Sequence, residues 1–305
     1  MSTDTETFGG TYPFESNYAP VEGVRLHYVD ERPSGKPGAE PVVMLHGNPT
    51  WSFLYRHFIP PIVSAGYRAI APDQIGYGRS ETPLDRSRYT LAARIRSFSA
   101  FMQTLDLKDA TLVMQDWGGP IGLGWAVENP GRVKRLVMMS TWAFCLPGMT
   151  DKEMLPPILQ LCRKPEIGEA LLLAYNFFVE AFLPWALVRK EKITPELMQA
   201  YRAPFPDYNS RIPTMAIQDV PIDEGHPSFK TMQHVHEQLG NLNVPTLLIW
   251  GRNDNLFSPD FAPDVWKQIY PHAELTLVDR AGHFIQEDAP EDVVRILLDF
   301  LIRHP

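Results

Sequence analysis

The chain has 305 residues, 44% of them hydrophobic and 21% charged, with a net charge of −8 at pH 7. These values suit a soluble globular protein built as one large domain with an insertion, or as two small domains. The absence of a Lys/Arg block argues against nucleic-acid binding, and the absence of a Cys/His cluster argues against a metal site.

The first segment, Met1–Ser16, is polar and lacks the apolar core of a signal peptide, so a cytoplasmic location is expected. Cys145 and Cys162 are then expected as isolated reduced thiols. Further along, short apolar runs alternate with helical patterns, which predicts an α/β fold with a mostly parallel sheet flanked by helices. Pro41–Leu45 (PVVML) and Tyr67–Ala71 (YRAIA) are the first two predicted strands. Ala110–Met114 and Val133–Ser140 follow, with a helix between them opening at Pro120.

From Trp142 to about Glu237 the strand rhythm stops, and the sequence becomes helical, Pro-punctuated and aromatic. This predicts a helical cap, 142–237, inserted into a core made of 1–141 and 238–305. Within it Ala170–Val188 is strongly apolar, but Glu180 stands near its centre and Pro184 interrupts it. A central carboxylate costs roughly 2.5–3.5 kcal/mol on insertion into a bilayer, so a buried helix is expected and not a membrane span. Strands resume at Pro245–Trp250 and Glu274–Val278. The chain closes on an amphipathic helix, about Pro290–Arg303, with Val293, Ile296, Leu297 and Phe300 on one stripe.

Four predicted strands are followed by residues that carry chemistry: Asn48 in His46-Gly47-Asn48-Pro49, Asp116 in Gln115-Asp116-Trp117-Gly118-Gly119, Asp254 in Gly251-Arg252-Asn253-Asp254, and His283 in Ala281-Gly282-His283-Phe284. In an open α/β sheet such residues gather at one edge, where ligands bind. Small residues after Asp116 permit a sharp strand–turn–helix elbow that exposes the side chain. A carboxylate there is already ionised at pH 7 and attacks saturated carbon without a base, forming an ester. A bare Asp-Trp-Gly-Gly would serve equally as a helix N-cap. The apolar strand before it, and His283 and Asp254 in order behind it, favour the nucleophile. His283 is then the base and Asp254 the residue that orients it.

The segments His46–Ser52, Gln115–Gly119 and Ala281–Asp288, together with Asn176–Glu180 and Tyr201–Phe205, resemble haloalkane dehalogenases from about Tyr12 to the C-terminus. The resemblance implies the α/β-hydrolase fold and hydrolytic cleavage of a carbon–halide bond. The substrate would be a halogenated alkane and water, with no cofactor. It also implies that Asn48 and Trp117 bind the departing halide, which suits their neutral N–H donors. Phe178, Phe205 and Pro221 match positions lining the halide pocket. One branch of the family places its acid after the strand ending here at Ser140. Thr141-Trp142-Ala143 stands there instead, so the acid falls to Asp254 and the pattern resembles the branch with an Asp/His/Asp triad. Trp185 is expected in the cap core.

The first rival is an epoxide hydrolase using the same aspartate. It must protonate an alkoxide, and Tyr175, Tyr201 and Tyr208 of the expected cap are its candidate donors. An ester or lactone hydrolase is disfavoured because the elbow carries no Ser. A non-catalytic binding protein on the same scaffold is disfavoured by the complete triad.

Overall fold

Eight strands form one sheet in the computed structural model, which describes residues 6–145 and 155–305. They are β1 (Asn17–Val21), β2 (Val24–Glu31), β3 (Pro41–Leu45), β4 (Arg68–Pro72), β5 (Ala110–Asp116), β6 (Val133–Thr141), β7 (Thr246–Gly251) and β8 (Glu274–Val278). Their order across the sheet is β1-β2-β4-β3-β5-β6-β7-β8. The pairs β1/β2 and β2/β4 are antiparallel, and every other pair is parallel. All residues of β3 and β5 are buried, as expected of parallel strands covered on both faces.

The expected strands stand within one or two residues of their expected bounds. The β1–β2 hairpin was not among the expectations. Its signal is local: Glu22 and Gly23 both take positive φ (49° and 80°), the geometry of a tight hairpin turn. Helix α1 (Ile59–Ser64) follows β3, and α2 (Leu91–Thr104) begins where the Thr90 side chain accepts from the Ala93 N–H. Helix α3 runs over Gly118–Glu128 and so opens at Gly118, not Pro120. Trp117 before it already has helical dihedrals (φ −58°, ψ −20°). The closing helix spans Pro290–Arg303, with Val293, Leu297 and Phe300 buried.

Between β6 and β7 the described residues contain helices and turns but no strand. Residues 146–154 of the expected cap lie outside the described residues. The Ala170–Val188 segment is not one buried helix. A turn at Asn176, whose φ is 52°, separates Ala170–Ala174 from Phe178–Phe182, which continues into Leu183–Ala186. Among the described residues no single helix is long and apolar enough to cross a membrane. The pair Pro165–Ala174 and Phe178–Ala186 passes on length and composition alone, bent by 71°. Trp185 is 44% exposed, which corrects its expected core position. Its ring packs against Phe182 at 5.6 Å.

Candidate active site

The carboxyl ends of β3, β5, β7 and β8 bring Asn48, Asp116, Asp254 and His283 together. Asp116 ends β5 with φ at 50°. That left-handed conformation costs a non-glycine residue roughly 1–2 kcal/mol, so its surroundings must hold it. The Thr141 hydroxyl donates to the Asp116 carbonyl at 2.5 Å. Two glycines make the approach possible. A Cβ on Gly47 would lie 2.2 Å from Asp116 Oδ1, and one on Gly119 would lie 1.9 Å from Thr141 Oγ1.

The Asn48 backbone N–H donates to Asp116 Oδ1 at 2.8 Å. Its loop is pinned on both sides. Burial pushes the His46 pKa down to about 4, so its neutral Nε2 accepts the Gln74 N–H at 2.9 Å. Downstream, the Ser52 N–H donates to Asp73 Oδ1 at 2.7 Å.

His283 is 1% exposed and sits among Phe182, Phe257 and Phe284. Its Nε2 lies 3.7 Å from Asp116 Oδ2, and its Nδ1 lies 3.5 Å from Asp254 Oδ2. Asp254 Oδ1 accepts the Leu256 and Phe257 N–H groups, which leaves Oδ2 for the imidazole. Neither Oδ2 nor Nδ1 has another partner, and at 3.5 Å the two stand just beyond closed hydrogen-bond distance. Gln115, immediately before Asp116, places its amide Nε2 2.9 Å from His283 Nε2. Donation from that amide puts the ring proton on Nδ1, facing Asp254.

The two titrating partners are coupled. Burial raises the Asp116 pKa, against the pull of His283 and of the Asn48 and Trp117 backbone N–H groups. Burial alone would lower the His283 pKa, but Asp254 and then Asp116 lift it above its ordinary value.

Asp116 opens on an apolar cavity of about 370 Å³. Asn48, Trp117, Trp142, Phe178 and Phe182 line it, and Leu256, Phe257 and Phe261 close another side. Asp254 and His283 are not on its surface. Among the described residues neither Asn48 Nδ2 nor Trp117 Nε1 has an acceptor, so two neutral donors face the cavity beside the carboxylate. Trp142, just after β6, meets the Trp117 ring edge-on at 5.2 Å.

Two expected lining residues are elsewhere. Phe205 is 1% exposed and packs edge-on against Tyr77 at 5.9 Å. Pro221 does not line the cavity; Val220 does, where the chain turns tightly with the Ile222 N–H donating back to the Val220 carbonyl at 3.1 Å. The three cap tyrosines also stay out. Tyr175 is 73% exposed, Tyr201 donates to Glu287, and Tyr208 donates to Glu169. Cys145 and Cys162 are buried and unpaired, and burial pushes their thiols up to about 11 and about 12. Residue pattern alone did not reveal the roles of Gln115, Phe182 and Phe257. Only Gln115, adjacent to Asp116, carried a local signal.

The sequence profile of the alpha/beta hydrolase fold family matches residues 40–290. A cis-3-alkyl-4-alkyloxetan-2-one decarboxylase of Shewanella oneidensis is 36% identical, over 95% of this chain and 89% of its own. A haloalkane dehalogenase of Mycobacterium marinum is 35% identical, over 94% of each chain. Among solved structures, the haloalkane dehalogenase DbeA from Bradyrhizobium elkani superposes with a TM-score of 0.86 at 30% identity, covering 95% of this chain and 98% of that one.

Proposed function

The chain belongs to the alpha/beta hydrolase fold family, in the group that includes the haloalkane dehalogenases, and we propose that it cleaves carbon–halogen bonds by hydrolysis. The observation that carries this reading is the pair of neutral donors without a protein acceptor, Asn48 Nδ2 and Trp117 Nε1, beside the Asp116 carboxylate in an apolar cavity. Such a wall holds an alkyl chain by burial, and its few polar groups act only at the reacting carbon.

In this reading the Asp116 carboxylate displaces halide in line and becomes an alkyl ester. Asn48 and Trp117 take the developing negative charge. Water then enters between the ester and His283 Nε2, loses a proton to that nitrogen and attacks the carboxyl carbon. The backbone N–H groups of Asn48 and Trp117 stabilise the resulting oxyanion. Asp254 stabilises the imidazolium. Alcohol, halide and a proton leave, and no cofactor takes part. Residues 142–237 act as the cap that excludes bulk water.

A second reading rests on the oxetan-2-one decarboxylase relatives, at 36% and 34% identity. Attack of Asp116 on the ring carbon that bears oxygen would open the lactone and leave a carboxylate where halide would leave. Loss of CO₂ from that adduct would form the alkene and return the electron pair of the broken C–O bond to Asp116. This route needs no water. An epoxide hydrolase has less support, since no cap tyrosine lines the cavity.

The deciding experiment offers the protein a panel of bromo- and chloroalkanes, a cis-3,4-dialkyloxetan-2-one and an epoxide. Stoichiometric halide and alcohol are expected. Alkene and CO₂ from the oxetanone, with no halide release from any alkane, would replace the first reading with the second.

A further inference from the structure

Arg94, on α2, is 5% exposed and forms no ion pair among the described residues. Its guanidinium is spent on neutral acceptors instead: the Tyr89 carbonyl at 2.8 Å, Gln74 Oε1 at 3.2 Å and the Pro213 carbonyl at 3.1 Å. The carboxylate whose field reaches it, Asp219, binds the Leu91 N–H and the Ser228 hydroxyl. Burying a charge without a counter-ion is costly. Arg94 lies behind the halide donors. Its Cζ is 5.5 Å from the Trp117 ring centroid and 5.4 Å from that of Tyr77.

The Tyr77 hydroxyl lies 3.1 Å from Asn48 Oδ1 and 2.7 Å from the Pro213 carbonyl. It has one proton for two acceptors. Arg94 also donates to the Pro213 carbonyl at 3.1 Å, which weakens that oxygen as an acceptor for the phenol and lets the proton be shared with Asn48 Oδ1. The Asn48 amide is then held with Nδ2 toward the cavity. Without Arg94 the phenol proton goes to Pro213, and the Asn48 amide turns to donate to the phenol, presenting Oδ1 to an incoming anion.

We propose that Arg94 is a positioning residue that makes the cavity an anion site, by directing the Asn48 amide through Tyr77 and by placing positive charge behind the Trp117 indole. This deepens the dehalogenase reading and rests on it for the identity of the anion.

The test separates the two ideas. Bromide binding is measured on the whole protein as the saturable part of tryptophan fluorescence quenching, and turnover is measured with 1-bromohexane. Arg94→Gln should raise the bromide dissociation constant at least tenfold. The inhibition constant of uncharged 1-hexanol should stay within twofold, and Arg94→Lys should recover part of the loss. Tyr77→Phe removes one hydroxyl and keeps the charge, and should weaken bromide about threefold or more. It reads the same device if Arg94→Gln does not fold. Bromide binding at the wild-type level in both Arg94→Gln and Tyr77→Phe overturns the proposal, and so does equal weakening of bromide and hexanol. Wild-type protein that binds bromide but releases none from 1-bromohexane keeps the anion site and removes the dehalogenase reading.

Discussion

The sheet edge and the helical segment between β6 and β7 meet at one cavity but are built differently. On the sheet side each candidate reactive group stands within five residues of the end of a parallel strand, and three of those four strands are fully buried. On the helical side the lining comes from short, bent elements. Phe178 and Phe182 lie on one of these, and Trp185, three residues on from Phe182, is 44% exposed. The difference separates chemistry from selectivity. A strand end fixes a carboxylate to a fraction of an ångström, whereas a packed aromatic wall sets only size and shape.

The largest break in this comparison is His283→Ala. Alkylation uses a carboxylate and needs no base, whereas ester hydrolysis does. Steady-state turnover should fall by at least 10²–10⁴-fold, the usual worth of a general base. One halide per site should still be released. Intact mass should rise by the alkyl group, and peptide mapping should find it on Asp116. Sustained turnover would remove His283 as the base, and an adduct on Cys145 or Cys162 would remove Asp116 as the nucleophile. Lowering the pH should mimic the variant. Hydrolysis needs neutral His283, whose pKa is raised, so turnover should fall as pH drops through that raised value. The single burst should persist to lower pH, until Asp116 itself is protonated.

Next come the donors. Asn48→Ala and Trp117→Phe should each slow halide release by about 2–4 kcal/mol, by analogy with oxyanion donors. The fold should persist in both, by circular dichroism. Wild-type rates on bromoalkanes in both variants would mean that neither donor serves the leaving group.

The helical side should respond most mildly. Phe178→Ala enlarges the cavity and should shift chain-length preference by roughly 1–3 kcal/mol in kcat/KM between short and long bromoalkanes. Trp185→Ala should leave that preference unchanged, because its ring is outside the wall. A shift from Trp185→Ala as large as that from Phe178→Ala would erase the distinction between lining and surface on this side.

The legible part of the site lay in local signals. Asp116, Trp117 and Gly118-Gly119 form one elbow, and its reading needed only an apolar run before it. His283 and Asp254 followed from their places after strands. The β1–β2 hairpin escaped because its turn residues, Glu22-Gly23, are a weak sequence signal and its strands mix polar and apolar residues. Phe205 and Pro221 were misplaced because lining depends on which way a side chain points, and irregular backbone has no period to reveal that.

By itself the sequence determined the strand ends and brought the candidate nucleophile, base and acid to them, because each of these signals rests on residues adjacent in the chain. Only the tertiary structure decided which side chains line the cavity, that Gln115 meets His283, and that Arg94 and Tyr77 stand behind Asn48 and Trp117. Those contacts join residues from 29 to 168 positions apart in the case of the Tyr77 and Gln115 bonds. Their geometry follows from how helices pack on a sheet, and no local preference of the chain encodes it.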